Sequence, residues 1–382
     1  MSNLGKISIK KTPEQVALVK QMGSKNKAES MAAQEVFAGF IGGVILQVVE
    51  QAPVISNLYT PKTYAEGTAP SLPLDVLFDI KDRNYVQVWT QSIAGGTPSS
   101  FIHGLDELMV STYNLSSAVS LGKKYAREAR LDVFAALMER MAQEILIKQE
   151  SNGAAILTKA TADARFKNAS GSDVPQIIRS NTARTFSMDD LNRLITLASR
   201  VRPSWVGGTP NGSNAITDLV GSPEFMEQIR SMAYQPVNTR SGAVASSGAT
   251  AIAAPDAVRN EVFQTAGTPN FFGINLTQVY EQGIGRAYNT LFANWIGATT
   301  FQGFAQGANA AFNAASEEQV IGLNLSSPNV LVKLAREDEG GGTLATMPDD
   351  SFANREDKLG MYSTLNEGRV VLDHRALTSL VF

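Results

Sequence analysis

Two histidines, His103 and His374, are the only imidazoles in the chain, and there is no cysteine among its 382 residues. Zinc sites draw on thiolates and imidazoles at short spacings, and neither an HExxH pair nor an acidic ligand motif occurs. Without cysteine there are no disulfides and no thiol nucleophile. Acidic neighbours stand at Asp189-Asp190, Glu317-Glu318 and Asp349-Asp350. In a strand such neighbours point to opposite faces, and on a helix they diverge by about 100°, so neither geometry converges two carboxylates on one bond. Helix starts and solvated turns account for them better. No GxxxxGK[ST] phosphate loop and no GxSxG elbow occur, and Gly283-Ile-Gly285 lacks the third glycine and preceding strand of a dinucleotide site. Asn-x-Ser/Thr sites such as Asn114 and Asn275 carry no meaning without a secretory signal. Catalytic, cofactor-binding and metal residues are all expected to be none.

Composition points the same way. Charged residues make up 18 % of the chain, against about 25 % in an ordinary soluble protein, which suits a surface that faces other proteins. Net charge is −3. A protein gripping a phosphate backbone needs clustered Lys and Arg, and no such cluster is present, so the charge argues against a DNA-binding protein without excluding a container for DNA. Residues 1–11 are polar and basic without an apolar signal core. The most apolar run, Val36 to Val49, is broken by Gly39, Gly42, Gly43 and Gln47 and falls short of the ~20 residues that span a bilayer. A soluble protein with no membrane partner is expected.

The elements follow from periodicity and punctuation. Met1 to Ser24 lacks strong periodicity and reads as an arm, and Ala28 to Gln51 reads as a helix ending before Pro53. From Tyr59 to Pro98 the prolines at 61, 70 and 73 exclude a long helix. Strand-like pieces such as Tyr85-Val-Gln-Val-Trp89 and the turn Gly95-Gly-Thr-Pro98 suggest a projecting hairpin. A second strand, Met109 to Leu121, follows it. The clearest element is a helix from Arg127 to Ser151, with Leu131, Phe134, Met138, Met141 and Ile145 on one face and Gly153 ending it. Ser187 and Ser222 each read as helix caps, the latter followed by Pro223 and Glu224. Asn238 to Asp256 and Gly297 to Ala315 are low in complexity. At the C-terminus, Gly360 to Leu365, a turn at Asn366-Glu-Gly368 and Arg369 to Leu372 read as strand, turn, strand.

In this order the elements resemble the major capsid protein of tailed bacteriophages, the Hong Kong ninety-seven fold. Three stretches carry the likeness. Tyr113-Asn-Leu-Ser-Ser-Ala-Val-Ser-Leu121, leading through Lys123 to Arg130 into the long helix, resembles the returning strand of the family's E-loop feeding its spine helix. Leu219-Val-Gly-Ser-Pro-Glu-Phe-Met226 resembles an axial-domain strand and helix start, and Lys358 to Asp373 resembles the closing strands. The likeness implies an α+β fold in five parts. These are an N-terminal arm and helix (1–58), an E-loop hairpin (59–123) and a peripheral domain with the spine helix (124–186). An axial domain (187–334) and the closing strands of the peripheral domain (335–382) complete it.

The function implied is an icosahedral shell around a double-stranded DNA genome, built of hexamers and pentamers of this chain. A separate scaffolding protein and a portal would be its partners, with a decoration protein as a further one. The place implied is the virion, after assembly in the host cytoplasm. An encapsulin-like nanocompartment shell is the alternative, and an enzyme with an unrecognised site is a distant third. Tyr85, Val88 and Trp89 are the expected intersubunit contacts. Leu131, Phe134, Met138, Met141 and Ile145 are the expected spine-helix core, facing the closing strands.

Overall fold

The hydroxyl of Thr12 accepts from the Gln15 N–H at 3.3 Å and Pro13 takes the first helical position, which starts helix α1 (Pro13–Met22). Val19 and Met22 on this helix are fully buried. The stretch expected to be an arm therefore includes a packed helix, too short for its apolar stepping to stand out as a pattern. The computed structural model describes residues 12–51, 54–65, 67–73, 107–128, 130–167, 172–180, 182, 184–201, 216–234, 270–271, 273–301, 310–326, 330–337, 344–349 and 357–382. The chain divides into two compact units, Met1–Pro70 with Met109–Gly153 and Val332–Val370, and Ser71–Leu108 with Ala154–Leu331 and Val371–Phe382.

The first unit contains α1, α2 (Lys27–Gln51), the short α3 (Lys123–Arg127) and the N-terminal part of α4 (Leu131–Asp163). Its sheet is built on β1 (Thr60–Ala65), β4 (Tyr113–Gly122), β14 (Leu331–Glu337), β15 (Leu344–Asp349) and β16 (Lys358–Val371). β16 pairs antiparallel with β4, from Lys358 opposite Gly122 to Glu367 opposite Tyr113, and with β15 on its other edge. β1 runs parallel to β14. Outside the two larger sheets, β2 (Ser71–Pro73) pairs with β3 (Glu107–Met109), β5 (Arg165–Lys167) with β6 (Asp173–Pro175) and β11 (Thr300–Phe301) with β12 (Ala310–Ala311). Phe134, Met138, Met141, Ala142 and Ile145 of α4 share one core cluster with Leu359, Met361 and Leu365 of β16, Leu115 of β4, and Val19, Met22 and Phe37. Phe37 meets Phe134 edge to face with ring centroids 5.6 Å apart, a geometry worth about 1 kcal/mol beyond burial.

Two boundaries differ from the sequence expectation. Gly153 does not end the long helix, which runs ten residues further to Asp163. Its role is spatial: a Cβ there would collide with the guanidinium of Arg369. The expected turn at Asn366-Glu-Gly368 is instead the interior of β16, which continues unbroken to Val371. Alternation explains why. Residues 359, 361, 363, 365, 367 and 369 share one face of the strand, and Glu367 and Arg369 on it are buried with ion-pair partners in place of solvent.

The second unit is a mixed sheet in the order β7 (Ile177–Arg179), β17 (Leu377–Val381), β13 (Gln319–Leu323), β8 (Asp218–Gly221), β10 (Ile274–Gln278), β9 (Asn270–Phe271). Helices α5 (Met188–Val201) and α6 (Pro223–Tyr234) supply Leu191, Leu194, Phe225 and Ile229 to a cluster with Leu219, Val320 and Leu380. A further helix, α7 (Ala287–Ile296), packs Phe292 and Ile296 against Phe312 and Val381. The expectation placed all of 335–382 with the peripheral closing strands. Leu377–Val381 lies instead in this sheet, between β7 and β13, and every residue of it is buried. An uninterrupted buried run of this kind is what a strand covered on both faces requires.

Both predicted caps form. Ser187 Oγ accepts from the Asp190 N–H at 3.2 Å while the Asp190 carboxylate accepts from the Ser187 N–H at 3.1 Å, a reciprocal capping box. Ser222 Oγ accepts from the Phe225 N–H at 3.0 Å. Asp189 pairs with Arg193 at 2.8 Å. Glu318 departs from the solvated-turn expectation: it is 5 % exposed and accepts from the Ser222 hydroxyl at 2.5 Å.

Candidate functional site

β1 and β4 stand on either side of residues 66–112, and the roots of both strands are held in the first unit by one polar cluster. On the outgoing side, the Glu150 carboxylate of α4 accepts from the backbone N–H groups of Ile55 at 2.7 Å and Ser56 at 3.1 Å. A carboxylate here satisfies the free N–H groups that open the short turn Ser56–Leu58. Tyr59, 3 % exposed, donates its hydroxyl to the Gly153 carbonyl at 2.8 Å. Tyr64 of β1 donates to Asn366 Oδ1 at 3.0 Å.

On the returning side, Tyr113 donates its hydroxyl to Glu367 Oε1 at 2.8 Å. Glu367 is fully buried and also accepts from Gln149 Nε2 at 2.8 Å. Lys333 Nζ stands 3.5 Å from one of its oxygens and Arg369 Nε 3.4 Å from the other. The Arg369 guanidinium lies over the Tyr59 ring, 5.2 Å from its centroid, so the same cation reaches toward both roots. Burial raises the phenol pKa of Tyr59 well above its ordinary range, with Arg369 opposing, and does the same to Tyr113, helped by the neighbouring Glu367 carboxylate. Both phenols therefore stay protonated and serve as donors. Where the strands move away from this cluster, the Val110 N–H donates to the Pro70 carbonyl at 2.9 Å.

This cluster can position a segment. Glu367 and Arg369 are buried, Tyr113 and Lys333 are partly buried, and the Tyr113 phenol and both cations converge on the Glu367 carboxylate. Among the described residues no group of three His, Cys, Asp or Glu side chains could hold a metal ion. His374 is exposed in a short turn, and His103 lies outside the described residues. No described helix is long and apolar enough to cross a membrane.

The three residues expected to touch a neighbouring subunit, Tyr85, Val88 and Trp89, also lie outside the described residues. Of the expected spine-helix face, Phe134, Met138, Met141 and Ile145 are between 2 and 5 % exposed; the Leu131 side chain lies outside the description. Sequence reading missed Glu367, Arg369, Tyr59, Tyr113 and Gln149 as a group. Buried charge within a strand-like run was the available signal, and it was masked by the turn-like triplet Asn366-Glu-Gly368.

No protein-family model and no curated protein matches the chain. Solved structures do. The capsid of the native GTA particle aligns with a TM-score of 0.50 at 12 % identity, over 86 % of this chain and 89 % of that one. A Microbacterium phage structure aligns at 0.48 with 9 % identity over 87 % and 91 %, and the SrpI encapsulin complex of Synechococcus elongatus at 0.41 with 12 % identity over 85 % of each. The likeness to the GTA capsid gives this chain an α+β fold shared with that subunit, as its order of elements implied.

Proposed function

We propose that this protein is the major capsid protein of a tailed bacteriophage, assembling through hexamers and pentamers into an icosahedral shell around double-stranded DNA. The observation that carries the reading is the fold shared with the capsid subunit of the native GTA particle over 86 % of the chain. Fold alone does not fix function, and two features of this chain support the same reading. A net charge of −3 on a chain with few charged residues suits a wall that encloses DNA without binding its sequence. A segment of some fifty residues, clamped at both roots by Glu150, Glu367 and Arg369, suits an arm that must leave its own subunit in a fixed direction.

In this reading the protein is not an enzyme. Residues 59–123 act as the E-loop and lie across a neighbouring subunit, where Tyr85, Val88 and Trp89 gain burial. A separate scaffolding protein, a portal and a decoration protein are the other partners, and the shell forms in the host cytoplasm before becoming the virion. Electron microscopy of the expressed chain, with and without its scaffolding partner, tests the whole reading: closed shells are expected, and a chain that stays monomeric under every condition overturns it. Trp89→Ala tests the arm. Losing ~1.5–3 kcal/mol from one buried anchor per interface is enough to abolish a many-contact assembly, so circular dichroism should be unchanged while shells fail to form.

A further inference from the structure

The turn Val279–Arg286, between β10 and α7, exposes two apolar side chains on a backbone that has no freedom to hide them. Tyr280 is 61 % exposed and Ile284 41 %. Between them Gln282 is buried and donates its side-chain amide to the Gln319 carbonyl at 2.6 Å. The Ile284 N–H donates to the Glu318 carboxylate, which is itself held by Ser222 Oγ. Backbone bonds from Val279 to Gly221, from Arg286 to Gly283 and from Tyr288 to Glu281 close the turn at 2.9–3.1 Å. Gly283 and Gly285 have φ of +126° and +73°, conformations that side-chain-bearing residues rarely adopt. So many constraints leave little entropy to lose on docking, and a rigid tyrosine beside an aliphatic residue is the usual composition of an interface anchor.

The charges say what docks. Glu281 stands between Tyr280 and Ile284 and Arg286 two residues beyond Ile284; both are exposed and form no ion pair among the described residues. One turn thus carries both halves of a complementary pair, which a rotational array of identical chains can satisfy in every contact. We propose that this turn is a contact surface for a second copy of this chain, with Tyr280 and Ile284 packed at the junction and Glu281 opposite the partner's Arg286. The inference rests on the shell reading above and adds to it a specific ring contact.

A charge swap tests it on the full chain, with sedimentation velocity reading the fraction in capsomers and shells. Glu281→Arg and Arg286→Glu, each alone, should lower that fraction about tenfold through like-charge contacts, and the two together should restore it. Melting temperatures should match wild type throughout, since neither side chain forms an ion pair or hydrogen bond among the described residues. Because the chain has no cysteine, Tyr280→Cys gives a second reading: a maleimide should label it in dissociated subunits and not in shells. Single reversals that assemble as wild type, a double variant no better than either single one, or full labelling in shells overturns the contact while leaving the shell reading intact. Wild-type chain that never assembles overturns both.

Discussion

The guanidinium of Arg369 lies against Gly153 so closely that a Cβ on the glycine would overlap Nη1. These residues sit on a strand and a helix more than two hundred positions apart, and the contact lets the helix pass over a buried cation without a break. Intrinsic propensity favours alanine over glycine in a helix interior by about 1 kcal/mol. The contact argues the other way, because Arg369 is buried and has little room to move. Gly153→Ala should therefore destabilise the subunit by roughly 1–3 kcal/mol, the range for overpacking, in urea melts of dissociated protein. A gain in stability would show that Arg369 yields and that propensity governs the site.

Glu367 is the only carboxylate in contact with both Lys333 and Arg369 among the described residues. Removing one member of a buried ion pair leaves the other charge uncompensated, at a cost of about 3–5 kcal/mol. Glu367→Ala should lose that much, whereas Glu367→Ala combined with Arg369→Met should recover part of it, because the fully buried cation is gone and the remaining one, Lys333, is partly exposed. Denaturant melts of the two variants decide the matter. Equal losses would mean that the cluster acts by packing and not by charge compensation.

The helix face gives a simpler contrast. Phe134 is 2 % exposed, within the cluster that includes Phe37, Met138 and Leu359, while Arg140 on the same helix is exposed. Phe134→Ala should cost roughly 3–5 kcal/mol and Arg140→Ala about 0.5 kcal/mol or less, measured as the shift in urea midpoint. Equal tolerance of both would refute the facing.

What the sequence disclosed was local, and what it concealed was long-range. Ser187 and Ser222 were readable as caps because the groups they satisfy lie three residues away. The Phe134, Met138, Met141 and Ile145 face was readable because helical stepping repeats within the element itself. Gly153 and Asn366-Glu-Gly368 were misread for the opposite reason. Each resembles a local stop signal, and each is explained only by a residue brought near by the sheet: Arg369 for the glycine, and Gln149, Tyr113 and Lys333 for the glutamate. The same separation hid the polar cluster, whose members come from the chain following α2, β4, α4, β14 and β16. Leu377–Val381 was placed with the wrong sheet because a short apolar run states that it is buried without stating by what.

Glu318 ties the turn that carries Tyr280 and Ile284 to the second unit's core, and its titration makes a prediction with a definite sign. Burial is the larger influence and raises its carboxyl above the ordinary value of 4.5; the nearby Glu224 adds to this, while hydrogen bonds from Ser222 and the Ile284 N–H oppose it. The folded chain thus keeps this proton to a higher pH than the unfolded chain does. In the window between 4.5 and the raised value the folded state binds more protons, so the contribution of Glu318 to stability falls as pH rises through it and stays low above it. Glu318→Gln is neutral at every pH and keeps one carbonyl oxygen as an acceptor. Relative to wild type, the variant should therefore gain stability as the pH rises from 4.5 through the raised titration of Glu318, and level off above it. Urea melts of dissociated subunits across that range measure the difference directly. A difference that stays constant, or that falls as pH rises, would mean that the Ser222 and Ile284 hydrogen bonds outweigh burial at Glu318.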